Sequence, residues 1–237
     1  FGGQVAGQAL VAATRTAPPE RSVHSLHGYF LNPGRPDMPV LYMVERLKDG
    51  RAFSSRRVSG VQDGRVIFNM AASFQVAEEG PEHQDEMPDV TPPEELADVT
   101  EDNPELNELH RLEWPGWDLR RDTRTPAGGG ARQNVWLRFH EPLPDDPTLH
   151  ICALAYASDL TLLGSALVPH PGVKVTMASL DHAMWFLRPF RADDWLLYAQ
   201  TSPSAGGGRG LTQGQIFDRS GRLVAATVQE GLVRFEP

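Results

Sequence analysis

The sequence predicts an α+β fold made of two consecutive copies of one unit, in which an antiparallel sheet wraps a helix. Two observations predict it. Short motifs recur at a nearly constant separation, and each half has a helical pattern followed by several extended runs. With 237 residues, 40% of them hydrophobic, the chain has enough apolar side chain for a substantial core.

The internal repeat consists of short segments that occur in the same order in both halves. Phe30 and Phe186, at the centre of the clearest match, are 156 residues apart. Four matches at separations of 156 or 157 residues are not expected by chance. The matched segments are Gly7–Leu10 with Gly164–Leu167, Tyr29–Pro33 with Trp185–Pro189, Val40–Tyr42 with Leu196–Tyr198, and Asp63–Ile67 with Ser220–Val224.

Each half begins with an apolar segment that predicts a helix, over Val5–Thr14 and over Leu149–Leu167. The second segment is apolar on nearly all sides, as expected for a helix enclosed by a sheet. Extended runs follow near 24–31, 39–46, 51–62 and 65–76, and near 175–188, 194–202, 208–218 and 222–235. Asp63-Gly64 and Ser220-Gly221 predict hairpin turns between such runs.

The composition divides the chain into a first unit at 1–77, a connector at 78–133 and a second unit at 134–237. The connector is acidic and rich in proline and glycine, which predicts a long and partly mobile segment. The second unit has an extra strand, Asn134–His140, before its helix. Its counterpart would lie before residue 1, so we expect preceding residues to supply the first strand of the first unit.

Charge and cysteine content exclude several classes of protein. The net charge of −9 disfavours nucleic acid and anionic membranes as partners. Ile151–Val168 is apolar enough to suggest a membrane span, but Asp159 near its middle favours a buried core helix, so we expect no membrane insertion. Cys152 is the only cysteine, which excludes an intrachain disulfide and favours a reducing, cytoplasmic location.

Five motifs together resemble acyl-CoA thioesterase II enzymes: FGGQVAGQAL, HSLHGYFLNPG, YASDL, LDHAMWFLRPF and ATVQEG. The resemblance covers both halves and is weak only in the connector. It implies a double hotdog fold, hydrolysis of fatty acyl-CoA to fatty acid and CoA without a cofactor, and further self-association as a homo-oligomer. It also implies a catalytic Asp in the second helix, a Thr or Ser in the next strand and a Gln in the last strand. By motif these are Asp159, Ser179 and Gln229.

The residues themselves leave the role of these three positions open. Asp159 is the only charged residue between Ile151 and Val168, and a core carboxylate is costly unless donors surround it. An exposed helix edge would also explain it. Gln229 shares a strand face with small residues, which fits either a cavity or an ordinary strand amide. The resemblance favours a joint role, in which the three bind one water and direct it at the thioester carbonyl.

Ser179, Asp181 and His182 lie close together in sequence and suggest a catalytic triad. Side-chain alternation along a strand places Ser179 and Asp181 on one face and His182 on the other. No G-x-S-x-G motif surrounds a serine either. These observations disfavour an acyl-serine intermediate, and no His, Cys or Asp cluster has metal-ligand spacing.

Four further residues are candidates for substrate contacts. Gly2 and Gly3, at the expected start of the first helix, offer backbone N–H groups for an oxyanion, with a simple tight turn as the alternative. His27 adjoins a family motif and lines the site unless it is a packed core histidine. Arg209 follows a glycine run that the repeat assigns to a hairpin, and it is a candidate contact for a CoA phosphate.

Two other functions remain compatible with the fold. A hotdog enoyl-CoA hydratase or dehydratase needs an Asp with a nearby His, but no histidine follows Asp159 until His170. A non-catalytic acyl-CoA-binding protein needs no complete Asp, Ser and Gln set, and this chain has one.

Overall fold

The computed structural model describes residues 1–99, 114–124 and 129–236, where it shows two α-helices and one eleven-stranded antiparallel sheet. The helices are α1 (Gly2–Thr14) and α2 (Pro147–Ala157), and 3₁₀ segments span Pro93–Glu95 and Leu163–Leu167. The strands are β1 (Arg21–Phe30), β2 (Leu41–Asp49), β3 (Phe53–Gln62), β4 (Arg65–Val76), β5 (Trp117–Asp122), β6 (Arg132–Phe139), β7 (Val175–Ser179), β8 (Asp181–Phe186), β9 (Leu196–Gly206), β10 (Arg209–Asp218) and β11 (Leu223–Phe235).

The order of the strands reflects the sequence repeat. It runs β2-β3-β4-β1-β8-β11-β10-β9-β6-β5, with β7 also paired to β11. The first-half order β2-β3-β4-β1 therefore recurs in reverse as β8-β11-β10-β9. Where the halves join, His27 of β1 pairs with Ala183 of β8, its own counterpart 156 residues later. A local two-fold axis thus passes between these two residues.

Tight hairpins form where the sequence predicts them. Asp63 and Gly64 connect β3 to β4 with φ of 47° and 73°, the paired positive values of a type I′ turn. The glycine run before Arg209 also forms a hairpin, because Gly207 and Gly208 connect β9 to β10 with φ of 61° and 75°. A phosphate-binding loop is therefore not formed there.

Helix α1 lies on the inner face of the first-half strands and packs closely against α2. Its buried residues have helical spacing and, apart from Leu10, small side chains: Gly3, Ala6, Gly7, Ala9, Leu10 and Ala13. The helices are antiparallel, because Gly3 faces Tyr156 and Gly7 faces Cys152. A Cβ on Gly3 would lie only 2.2 Å from the Tyr156 carbonyl oxygen, so the contact requires glycine.

The second helix is shorter than predicted, because α2 ends at Ala157 and the chain resumes only as the 3₁₀ segment Leu163–Leu167. Two carbonyls that a continuous helix would use internally accept side-chain donors instead. The Tyr198 hydroxyl donates to Ser158 O at 3.0 Å, and the Gln133 amide donates to Thr161 O at 3.1 Å. Asp159 therefore lies in the break. In the described part of the chain, no helix is long and apolar enough to cross a membrane.

The 78–133 segment includes regular structure where it is described. It contains β5, which pairs with β6, and the first residues of β6 itself. Met87, Val90 and Leu96 pack against a small apolar cluster around Trp136 and Phe217 on the second half. Residues 100–113 and 125–128 of the predicted connector lie outside the described residues. The strand expected before residue 1 stays a prediction.

Candidate active site

Asp159, Ser179 and Gln229 come from three separate motifs and meet in mutual hydrogen-bond contact. The Gln229 amide nitrogen donates to Asp159 Oδ1 at 2.6 Å and to Ser179 Oγ at 2.7 Å. The Ser179 hydroxyl donates to Asp159 Oδ1 at 3.1 Å. Three groups widely separated in sequence thus form a closed triangle, which we call the Asp-Ser-Gln triangle.

Each member of the triangle is held by a different element. Asp159 lies in the break after α2, Ser179 ends β7, and Gln229 lies in β11 with Ala225 and Thr227 on the same buried face. Gln229 has no exposed surface, whereas Asp159 and Ser179 are partly exposed. The triangle is therefore accessible from solvent at Asp159 and Ser179 and closed at Gln229.

The first half of the chain closes the other side of the site. A Cβ on Gly2 would lie 2.7 Å from Asp159 Oδ2 and 3.0 Å from the Phe30 ring. The start of α1 therefore lies against the carboxylate oxygen that the triangle leaves free. The first N–H groups of a helix have no intrahelical acceptor and carry its positive dipole end. A Cβ on Gly3 would instead point towards α2.

The alternation predicted around Ser179 is wrong, because Ser179 and His182 both lie beside Gln229. Both β7 and β8 pair with β11, but in registers that differ by one residue: Ser179 lies opposite Gly231, and Ala183 lies opposite Val228. Because side chains alternate along a strand, this one-residue shift exchanges the inward and outward faces of β8 relative to β7. Simple strand alternation therefore does not identify His182 as a member of this region. His182 shares one strand face with the apolar Met184 and Phe186, and this two-residue spacing could have indicated that its side chain points inward.

His182 is 1% exposed and lies under the triangle. Its Nε2 is 2.8 Å from the buried Ser158 Oγ. Burial lowers the pKa of His182, and the nearby Asp159 and Asp181 carboxylates and the Gln229 amide oppose that shift. Because the burial effect is the largest, the ring is neutral at neutral pH.

His27 and Arg209 lie on the outer face of the sheet, away from the triangle. His27 is exposed and makes an edge contact with Trp185 at 5.0 Å between ring centroids, so it is neither a core histidine nor a lining residue. Its neighbours Leu26 and Gly28 are the inward residues of β1. Arg209 pairs with Glu230 at 2.9 Å, and its side chain is 53% exposed.

A groove of about 1080 Å³ lies between the start of β1, the end of β4 and the loop after β8. None of the three triangle residues lines it. The triangle therefore opens to solvent elsewhere on the surface. Within the described ranges, no group of three or more His, Cys, Asp or Glu side chains is placed to hold a metal ion.

Comparisons with known proteins match both halves of the chain. A family model described as "Acyl-CoA thioesterase" matches residues 105–232, and one described as "Acyl-CoA thioesterase N-terminal domain" matches residues 1–75. Acyl-CoA thioesterase 2 of Haemophilus influenzae is 44% identical over 99% of this chain and 87% of its own length.

Solved structures agree over the whole chain. The crystal structure of an acyl-CoA thioesterase II, TesB2, from Mycobacterium marinum has a TM-score of 0.90 and 55% identity, and the match covers 100% of this chain and 90% of that one. A protein of unknown function with a hot dog fold from Alicyclobacillus acidocaldarius has a TM-score of 0.80 at 22% identity, covering 100% of this chain and 88% of that one. The second match shows a shared fold alone.

Proposed function

Because the chain belongs to the acyl-CoA thioesterase II family and is an acyl-CoA thioesterase, we propose that it hydrolyses fatty acyl-CoA with a water molecule held by Asp159, Ser179 and Gln229. The products are a free fatty acid and CoA. The Asp-Ser-Gln triangle carries this proposal. In the triangle the Gln229 amide nitrogen donates one hydrogen bond to Asp159 and one to Ser179. Asp159 Oδ2 takes no part in these bonds and lies beside the start of α1.

We further propose that the hotdog fold is a double hotdog. The repeated strand order and the pairing of β1 with β8 across a local two-fold axis support it. The helical parts differ between the two units, because α1 packs on the first-half strands whereas the 3₁₀ segment packs on the second-half strands β9, β10 and β11.

In the proposed reaction, Asp159 is the general base. A water bound to Oδ2 attacks the carbonyl carbon of the thioester and gives its proton to the carboxylate. The tetrahedral intermediate then expels the CoA sulfur, which takes up that proton as the carbon–sulfur bond breaks. The hydrogen bonds from Ser179 and Gln229 to Oδ1 fix the orientation of the carboxylate. A positioned base of this kind contributes about 10²–10⁴-fold to the rate.

Backbone N–H groups at the start of α1 stabilise the oxyanion in this proposal. Gly2 supports it, because a Cβ at this position would lie 2.7 Å from the carboxylate oxygen to which the proposal assigns the water. A side chain at this position would fill the space that the thioester needs. Donors aimed at developing negative charge lower the barrier most when they are fixed beforehand, and a helix start satisfies that condition.

Three predictions that do not concern the Asp-Ser-Gln triangle stay predictions. Arg209 stays a candidate contact for a CoA phosphate, since it is half exposed and Arg234 approaches the same hairpin at Gly208. A cytoplasmic location and a homo-oligomeric state also stay predictions. His27 has no role in the proposed reaction.

Release of CoA from palmitoyl-CoA, followed with a thiol reagent, tests the activity. We expect steady CoA release with purified protein, because the triangle places a base beside a helix start and needs no cofactor. Incubation with an enoyl-CoA is the matched control. Formation of 3-hydroxyacyl-CoA without CoA release would identify a hydratase, and tight acyl-CoA binding with no product would identify a binding protein.

Substitutions of Ser179 test the hydroxyl. Ser179→Thr keeps the hydroxyl that bonds Asp159 and accepts from Gln229, so we expect kcat within a few-fold of the wild-type value. Ser179→Ala removes a hydrogen bond to a charged group, worth about 1.5–3 kcal/mol, and should lower kcat about 10–100-fold. Steady-state kinetics with palmitoyl-CoA measures both. A Thr variant as impaired as the Ala variant would contradict the assigned role.

A further inference from the structure

Two buried polar atoms directly behind the Asp-Ser-Gln triangle have no partner with ordinary hydrogen-bond geometry among the described residues: Gln229 Oε1 and His182 Nδ1. The two side chains are 0% and 1% exposed, so neither atom contacts bulk solvent. A buried donor or acceptor without a partner costs about 1–3 kcal/mol, and native proteins contain few of them. Each atom is thus a candidate partner for the other.

The sheet places the two side chains next to each other. In the antiparallel register of β8 and β11, Met184 pairs with Thr227 and Ala183 with Val228. The next position along both strands brings His182 opposite Gln229. Both side chains point to the buried face, where directly opposed residues have Cβ atoms about 4.5–5.5 Å apart.

We propose that His182 is a positioning residue, whose Nδ1–H donates to Gln229 Oε1 and so holds the amide nitrogen against Asp159 and Ser179. This inference rests on the proposed function, because it concerns the same site. Gln229 alone does not distinguish its two ends, since the oxygen and the NH2 group of an amide are almost the same size. A donor behind the amide can donate only to its oxygen, and the amide nitrogen must then face the carboxylate.

A neutral ring with its proton on Nδ1 gives each ring nitrogen a partner, at the expense of the hydrogen bond from the Ser158 hydroxyl to the Ala155 carbonyl oxygen. Ser158 Oγ is 2.8 Å from Nε2 and 2.9 Å from the Ala155 carbonyl oxygen, and it has one hydrogen to donate. If that hydrogen goes to Nε2, the ring is left with Nδ1–H towards Gln229. The opposite tautomer would set a nitrogen lone pair against an amide oxygen, both buried and both unpaired.

The charged groups near the ring are the Asp159 and Asp181 carboxylates, and both favour protonation. Burial opposes them more strongly and lowers the pKa of His182, so the ring keeps a single N–H at neutral pH. In the proposed arrangement the neutral His182 ring donates its Nδ1–H to a hydrogen bond, and its Nε2 lone pair accepts from Ser158. That distinguishes it from the histidine of a hydratase acid–base pair.

Three substitutions separate positioning from packing. His182→Leu removes both nitrogens, His182→Asn places an amide nitrogen near the former Nδ1, and His182→Gln reaches the former Nε2 position beside Ser158. We expect His182→Leu to lower kcat about 10–100-fold with little change in KM, as for loss of one hydrogen bond in an active-site network. His182→Asn should recover at least about tenfold of that loss, whereas His182→Gln should not.

Recovery by His182→Gln but not by His182→Asn would overturn the proposal, because the Ser158 contact would then be the important one. A loss of kcat that follows the loss of thermal stability across the three variants would also overturn it. If a variant fails to fold, the NMR measurement on wild-type protein that is described next tests the proposal in its place.

Nitrogen-15 NMR of the histidine rings tests the proposal without any assay of activity. Comparison with the spectrum of any folded His182 variant identifies the His182 signals. We expect a protonated Nδ1 and an unprotonated Nε2, unchanged as the pH falls through about 6.5, the usual histidine value. A protonated Nε2 would overturn the proposal. If wild-type protein releases no CoA, the thioesterase mechanism fails, and the spectrum still decides the hydrogen bond.

Discussion

Asp159→Asn is expected to lower kcat for palmitoyl-CoA hydrolysis by about 10²–10⁴-fold, the contribution of a positioned general base. An asparagine retains an oxygen that accepts from Gln229 and Ser179 at the Oδ1 position. Its NH2 group then takes the place of Oδ2, where it cannot accept a proton from water. The fold should persist, because the triangle keeps its hydrogen bonds, and thermal unfolding will measure this alongside the kinetics.

Asp181→Asn is the matched control for that variant. Asp181 belongs to the same motif region, and its Oδ1 accepts from the Glu230 backbone N–H at 2.7 Å, a bond that an asparagine oxygen preserves. We expect turnover close to the wild-type value. Unchanged turnover in Asp159→Asn would remove Asp159 from the mechanism, and equal losses in both variants would indicate a general effect of charge.

Gly3→Ala is expected to destabilise the protein by about 1–3 kcal/mol, the usual cost of forcing extra atoms into a packed interior. The new Cβ would lie 2.2 Å from the Tyr156 carbonyl oxygen, so α1 and α2 must separate. For a protein of this size each kcal/mol lowers Tm by about 2–4 °C. Turnover should fall as well, because the same movement displaces Gly2 from Asp159.

Gly7→Ala is the control on the same helix face. Its Cβ would lie 3.2 Å from the Cys152 carbonyl oxygen, which a small adjustment relieves. Alanine also favours the helix over glycine by about 1 kcal/mol, so the two effects roughly cancel. A Gly3→Ala protein that melts with wild-type Tm would show that the helices tolerate a side chain at this contact.

The local patterns of the sequence predicted most of the sheet. The run at 65–76 is β4, and the Asp63-Gly64 dipeptide forms the turn before it. These features depend on side-chain alternation and on backbone conformations that particular residues favour, so they are readable from neighbouring residues alone. The repeat predicted two similar units, because similar segments adopt similar structures, and the matching strand orders agree with it.

The sequence by itself determined most of the strands, the hairpins, the two-fold repeat and the three residues that resemble a thioesterase site, but not β5 or the division of the run at 175–188 into β7 and β8. Only the tertiary structure decided where the second helix ends, which way His182 faces and that His27 lies outside the site. The carbonyl oxygens of Ser158 and Thr161 accept hydrogen bonds from side chains of distant strands instead of from helical N–H groups. A one-residue shift of register turns His182 inward. Such long-range hydrogen bonds and strand pairings join residues that no local pattern connects, so folding alone brings them together.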